Sequence, residues 1–301
     1  MTQLDQARNL LKDGNITEAL NCLRQLHRTQ PSHPLVVHYL ALAHERRGEY
    51  DAAMKVLGEL GEPHRSAEIS VRQAQNALKL KDYEGARRYA GEALASARWD
   101  DPVLSEAAAI MGDAAFKSGN LEEAEQHYSS ALSLGSNQER ALTGMGSIAL
   151  TRQEFHAALN AFEQVLTSNP HHARALLGKG LSVLGLGRTE EAADLITQAL
   201  MLDADNSWAL ATLLPVLSET GRLQDAYDLL GRYLRHYPDD APMLLARAGV
   251  AFSLGRHEEC RDMITMLRRE SANTEGLTDL ERELSKLERH KARLTAEPAL
   301  A

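Results

Sequence analysis

The sequence predicts an all-α protein built of antiparallel helix pairs, and three columns of residues carry that prediction. A small residue recurs at Ala19, Ala53, Ala86, Ala124, Ala158, Ala192, Ala226 and Cys260, at spacings of 34, 33, 38, 34, 34, 34 and 34. Five residues before it stands glycine at Gly14, Gly48, Gly119, Gly187, Gly221 and Gly255, with Lys81 and Gln153 in the other two copies. Seven residues earlier again comes Ala7, Ala41, Ala74, Gly112, Gly146, Gly180 or Ala248, broken by Leu214. A large apolar residue follows in the second half of each copy: Leu23, Leu57, Tyr128, Phe162, Ile196, Leu230 and Ile264, with Ala90 the weak member. No strand-like alternation appears, and fixed periods in this range mean stacked repeats.

The stretch 173–206 explains the unit. Leu176, Gly180 and Val183 recur at helical spacing. Gly187 ends that helix, since glycine reaches a left-handed cap without penalty. Glu190 and Glu191 suit the positive end of the next helix, which buries Ala192, Leu195, Ile196 and Ala199. Pro31, Pro170 and Pro238 stop second helices elsewhere. Counted this way the repeats are 1–33, 34–66, 67–104, 105–138, 139–172, 173–206, 207–240 and 241–274. The second ends in a loop at residues 61–66. The third is four residues longer than 34, and Trp99 with Pro102 predicts an extended second helix and a bend near 95–104. Beyond 274 the period stops. Leu277, Leu280, Leu284 and Leu287 stripe a charged segment, which predicts a capping helix over 275–290 and a flexible tail over 291–301. A short coiled coil is the alternative for that segment.

With these columns the chain resembles the tetratricopeptide repeat family, over residues 1–274. The resemblance implies a right-handed α-solenoid in which the first helices line a concave groove that holds a peptide or a partner's helix. It also implies which residues face that groove: those opposite the small column. In the sixth repeat these are Leu177, Leu181 and Leu184; in the seventh, Trp208, Ala211 and Pro215; in the eighth, Leu245 and Phe252. Pro215 lies mid-helix, where it kinks or widens the groove or is tolerated in a buried helix. A secondary, mixed-polarity groove takes Leu35, His38, Leu42 and Glu45 in the second repeat and Glu106, Asp113, Phe116 and Lys117 in the fourth. The lysine–asparagine pair by which chaperone-binding members grip a carboxylate is not matched. The asparagine ladder of sugar-transferase superhelices is replaced by Ile110, Gly144, Gly178 and Thr212.

Composition bounds the rest. The apolar content of 44% is ample for stacking, and no run of eighteen apolar residues spans a membrane. The net charge of −9 comes wholly from residues 105–301, with 19 basic against 28 acidic; the first 104 residues hold 14 of each. That balance argues against nucleic acid, which wants a basic stripe. The polar N-terminus has no signal-peptide core, so a cytoplasmic location is expected. Cys22 and Cys260 stand in the first and last repeats, too far apart in a solenoid for a bridge. Met1, Leu4 and Leu11 form an apolar face with no helix before it, which predicts weak self-association through the first repeat.

No catalytic motif, cofactor loop or metal set emerges. Gly178, Lys179 and Gly180 lie within a helix with no strand before them, so they are a packing feature and not a dinucleotide loop. His171 with His172, and Cys22 with His27, lack the ligand geometry of a metal site. The Asn15–Thr17 sequon falls in a repeat turn. The expected function is a non-catalytic interaction scaffold for a protein or peptide partner. The alternatives are the recognition arm of a sulfotransferase- or glycosyltransferase-type enzyme, or a self-assembling array.

Overall fold

The computed structural model describes residues 2–60, 66–98, 101–135, 138–270 and 276–296. Among them the chain is all-α, with seventeen helices and no strand. It divides into two compact units, Met1–Val165 and Leu166–Ala301. In the first, α1 (Gln3–Lys12) pairs with α2 (Ile16–Thr29), α3 (Pro34–Arg46) with α4 (Tyr50–Gly58), α5 (Ala67–Lys79) with α6 (Tyr83–Ser96), and α7 (Val103–Lys117) with α8 (Leu121–Ser133). The helix α9 (Gln138–Thr151) pairs with α10 (Phe155–Ser168), whose last residues enter the second unit. The second unit then holds α11 (Ala173–Gly185) with α12 (Thr189–Leu202), α13 (Ser207–Glu219) with α14 (Leu223–His236), α15 (Ala241–Ser253) with α16 (His257–Glu270), and the single helix α17 (Leu277–Ala296). This is the α-solenoid class of fold.

One turn joins each pair. The six column glycines all take left-handed backbone, from φ +71° at Gly221 to +84° at Gly119. Lys81 and Gln153 adopt the same conformation, at φ +62° and +60°, although a side chain there costs about 1–2 kcal/mol. The geometry is held because the next residue's N–H must close the helix end: Asp82 N–H donates to Ala77 C=O and Arg188 N–H to Val183 C=O, both at 2.9 Å.

The other columns explain each other. A Cβ added to Gly112 would lie 2.6 Å from Tyr128 Cδ1, one on Gly146 2.7 Å from Phe162 Cζ, and one on Gly180 2.6 Å from Ile196 Cγ1. The large residue of each second helix fills the space that the small residue of its partner leaves. Cys260 is fully buried in the small column and packs like the alanines it replaces. In the second unit one continuous core runs from Leu176 to Leu284.

Several expectations change. Helix α6 stops at Ser96 and is fourteen residues long, no longer than α2; Ala97 turns to extended backbone, so the extra residues of the third repeat fall in the connection to α7. Helix α7 starts at Val103, before the boundary drawn at 104, because Pro102 suits the start of a helix. Helix α17 continues to Ala296, past the 275–290 span; its own Leu277 and Leu284 are buried against the core of the second unit. Leu11 is 2% exposed and belongs to the core of the first two repeats, so it is no part of an exposed terminal face; Leu4 is half-buried. Met1, the 61–65 loop, Trp99 at the expected bend and the tail residues 297–301 lie outside the described residues.

Candidate functional site

The face of the first helices opposite the small column differs between the units. In the first unit it is a lattice of polar side chains that bond one another. Arg72 on α5 donates to both carboxylate oxygens of Glu45 on α3, from Nε at 3.2 Å and Nη2 at 2.7 Å. It also reaches His38 Nδ1 at 2.9 Å and His38 C=O at 3.3 Å. Asn76 Nδ2 donates to Glu45 Oε1 at 2.8 Å. Farther on, Gln75 donates to Glu106 Oε1 at 3.1 Å. Arg140 on α9 spans two carboxylates of α7, from Nη1 to Glu106 Oε1 at 2.5 Å and from Nε to Asp113 Oδ2 at 2.7 Å. Tyr128 completes the set from the second-helix layer: its ring lies between Gly112 and Gly144, and its hydroxyl donates to Asp113 Oδ1 at 2.7 Å. Burial lowers the pKa of Arg140 but the two carboxylates outweigh it, and the net shift is upward. His38 goes the other way: desolvation first and the Arg72 charge second hold its pKa below the ordinary histidine value, against Glu45 and Glu68.

The secondary-groove residues therefore do not form one surface. Leu35 is 52% exposed on α3 and Leu42 packs into the core of the first two repeats. Phe116 sits on α7 against a different core cluster, with Lys117 Nζ 6.0 Å over its ring. Between them runs the ionic lattice. The partners of that lattice stand 27 and 34 residues apart in both clasps: Arg72 with Glu45 and His38, Arg140 with Asp113 and Glu106. Opposite charge at the spacing of 27 marks both Arg72 and Arg140, which the periodic columns alone do not.

In the second unit the same face is apolar. Trp208 is 60% exposed at the start of α13, and Ala211 and Pro215 are exposed on the same stripe. Helix α13 runs unbroken through Pro215. Lacking an N–H, this proline leaves the C=O of Ala211 without its helical donor, on the exposed side where water reaches it. Pro215 is thus tolerated at the surface and not within a buried helix. Leu181 and Leu184 on α11, and Leu245 and Phe252 on α15, are half-buried shoulders packed on the core. Leu245 is also approached by the start of α17, where a Cβ on Gly276 would lie 3.6 Å from Cδ2. Phe252 meets the His257 ring edge-on at 5.6 Å. Leu177 is 8% exposed and belongs to the core, so it supplies no contact surface. Beside Trp208's end of the face lies a cavity of about 140 Å³, lined by Arg174, Leu177, Leu200, Asp203, Asn206 and Ala209, among others.

Chemistry beyond contact finds little to work with. Among the described residues no group of three or more histidine, cysteine or acidic side chains could hold a metal. His172 is spent on structure, its Nδ1 accepting from Ala175 N–H at 3.1 Å to cap α11. Among the described residues no helix is long and apolar enough to cross a membrane.

Stacked helix pairs presenting one face of their first helices define a repeat protein that works by contact. Sequence models of the tetratricopeptide repeat match residues 71–139 and 143–207, and a second such model matches 183–248. The chain belongs to the tetratricopeptide repeat family. Residues 12–93 also match the model of anaphase-promoting complex, cyclosome, subunit 3. No curated protein matches the chain by sequence. Among solved structures, the crystal structure of the APC/C hetero-tetramer Cut9-Hcn1 contains a similar chain, with a TM-score of 0.61 at 16% identity. That match covers 94% of this chain and 55% of the other, so this chain spans about half the length of that relative. Pseudomonas aeruginosa pilF is similar at a TM-score of 0.58 and 16% identity, covering 72% of this chain and 97% of its own. PilW, a type IV pilus biogenesis factor, is similar at 0.56 and 20%, covering 71% and 97%. At these identities the likeness is one of fold.

Proposed function

We propose that the protein is a non-catalytic scaffold whose second unit docks an apolar segment of a protein partner on the face centred on α13. One observation carries this reading: Trp208 is 60% exposed on a stripe with Ala211 and Pro215, on the face the first unit closes with ion pairs. Exposed tryptophan is a strong contact residue, because its large rigid surface is buried at small entropic cost. The half-buried shoulders Leu181, Leu184, Leu245 and Phe252 extend the apolar surface on both sides. In this reading the protein works in the cytoplasm, which its two free cysteines suit. The membership of a family of contact proteins supports it as well.

Burying Trp208 and two or three neighbours favours binding at the micromolar level, about −8 kcal/mol. A peptide-display selection against the full chain tests the reading. Binders are expected to lose affinity at least about tenfold on Trp208→Ala, roughly 1.4 kcal/mol, while far-UV circular dichroism is unchanged. Binders indifferent to Trp208→Ala and Ala211→Glu place the docking surface elsewhere and overturn it.

A further inference from the structure

Independently of that docking face, we infer that the cavity between α11, α12 and α13 is a binding site for a small neutral phenol. Its volume of about 140 Å³ suits one six-membered ring, since an apolar cavity of about 150 Å³ takes benzene. Leu177 of α11, Ala199 and Leu200 of α12 and Ala209 of α13 give it apolar walls.

The next repeat supplies the template. Ala199 stands one period after Val165 and one before Tyr233, both buried. Where α12 has a methyl group, α14 therefore has a phenol ring. The Tyr233 hydroxyl donates to Asp240 Oδ2 at 2.8 Å. Asp240 spends its other oxygen, Oδ1, on capping α15, accepting from Met243 N–H at 3.1 Å. Asn206 holds the same register one period earlier and makes the same cap, its Oδ1 accepting from Ala209 N–H at 3.0 Å. That bond fixes which end of the amide is which. Asn206 lines the cavity, so its Nδ2 donates there, where Asp240 accepts. Ala131, at the register of Ala199 in the fourth repeat, is met instead by the buried Ser105, whose hydroxyl donates to its C=O at 3.0 Å. At the cavity Ala173 replaces that serine.

Charge selects against an ion. Arg174 and Asp203 both line the cavity and cancel. The end of α12 and the start of α13 bring opposite dipole ends. Asp205, exposed in the same turn, adds one acid. A phenol suits these groups: its oxygen accepts from Asn206 Nδ2, and its O–H donates to water or to Asp203.

Calorimetric titration of the full chain with phenol, toluene and benzoate tests the site. Phenol is expected to saturate it at about millimolar affinity, in keeping with so few atoms. Ala199→Val, the residue of the repeat before, should cut that affinity at least about tenfold. Its urea midpoint should hold or rise, since the added methyls fill empty space. Asn206→Ser keeps a capping oxygen and removes the amide donor; it should weaken phenol about fivefold and leave toluene unchanged. No saturation by phenol, or saturation that Ala199→Val leaves intact, overturns the site. A lowered urea midpoint in Ala199→Val means that there is no room, which overturns the cavity. Phenol and toluene weakened alike by Asn206→Ser overturn the hydrogen bond. Benzoate bound more tightly than phenol makes the ligand an anion and overturns its assignment as neutral.

Discussion

Arg140 and Trp208 stand two repeat periods apart, at the same place on their first helices. Arg140 is clamped to Glu106 and Asp113 of the helix before it. Trp208, in the same register with Arg174 and Leu181 of its preceding helix, lies 60% exposed. The comparison teaches that one backbone frame serves two ends. Where the face carries polar partners at spacings of 27 and 34, the groove satisfies itself and resists an apolar visitor, whose docking would strip water from ion pairs without replacing it. Where Leu181 and Trp208 replace the acid and the arginine, the frame leaves an apolar side chain exposed instead of an ion pair.

The largest break in this comparison should come from glycine. A Cβ on Gly144 would lie 2.2 Å from Tyr128 Cζ, a ring atom of a side chain 1% exposed and held at its hydroxyl by Asp113. The ring cannot retreat without breaking the lattice, so Gly144→Ala should destabilise the first unit by about 3 kcal/mol. Gly249, inside the first helix α15 of the second unit, meets nothing within 4 Å, and Gly249→Ala should stabilise by roughly 0.5–1 kcal/mol through the helix interior alone. Urea unfolding of both variants checks the pair. Equal effects would mean that the closed packing around Tyr128 is not what distinguishes the units.

Next in size is the arginine itself. Arg140→Ala leaves Glu106 and Asp113 half-buried without their cation, and should cost about 2 kcal/mol, below the value for a fully buried pair. Trp208→Ala removes surface already in water and should change stability by less than about 0.5 kcal/mol. Hydrogen exchange sharpens the contrast: α7 and α9 should lose protection in Arg140→Ala, and α13 should keep it in Trp208→Ala. A tryptophan variant that loosens α13 would make Trp208 a structural residue and sink the contrast.

How far the sequence carried these conclusions depends on what each residue answers to. The glycine, small and large columns are local demands of a turn and of a close helix contact, so they repeat at every period and the helix pairs are legible from them. Lys81 and Gln153 were legible as the residues that replace the glycine, while their left-handed backbone is a finding of the structure. The face was only partly legible. Trp208, Ala211 and Pro215 are open as the period implies, while Leu177, one period before Ala211, is sealed in the core. A leucine is long enough to reach into the adjoining core and an alanine is not, and single-letter periodicity does not register that difference. The lattice was missed because each charge looks solvated when read in its own helix, and its meaning lies in a neighbour one repeat away.

The smallest effect sharpens the comparison by pH. His38 keeps more than a third of its surface exposed, yet its imidazole loses enough water beside Arg72 for desolvation, then the guanidinium charge, to lower its pKa. Glu45 and Glu68 oppose this without reversing it. A histidine whose folded pKa lies below its unfolded value, about 6.5, binds its proton more weakly when folded. Its contribution to stability is therefore present above that value and is lost as the pH falls through the lowered folded pKa. The lattice should thus weaken from about pH 6.5 downward. Every other residue is the same in wild type and variant, so the difference between the two isolates His38. On acidification from neutral, the urea midpoint of wild type should fall further than that of His38→Gln. If the two fall together, His38 is a bystander to the Arg72 clasp, and the lattice rests on Glu45 and Asn76 alone.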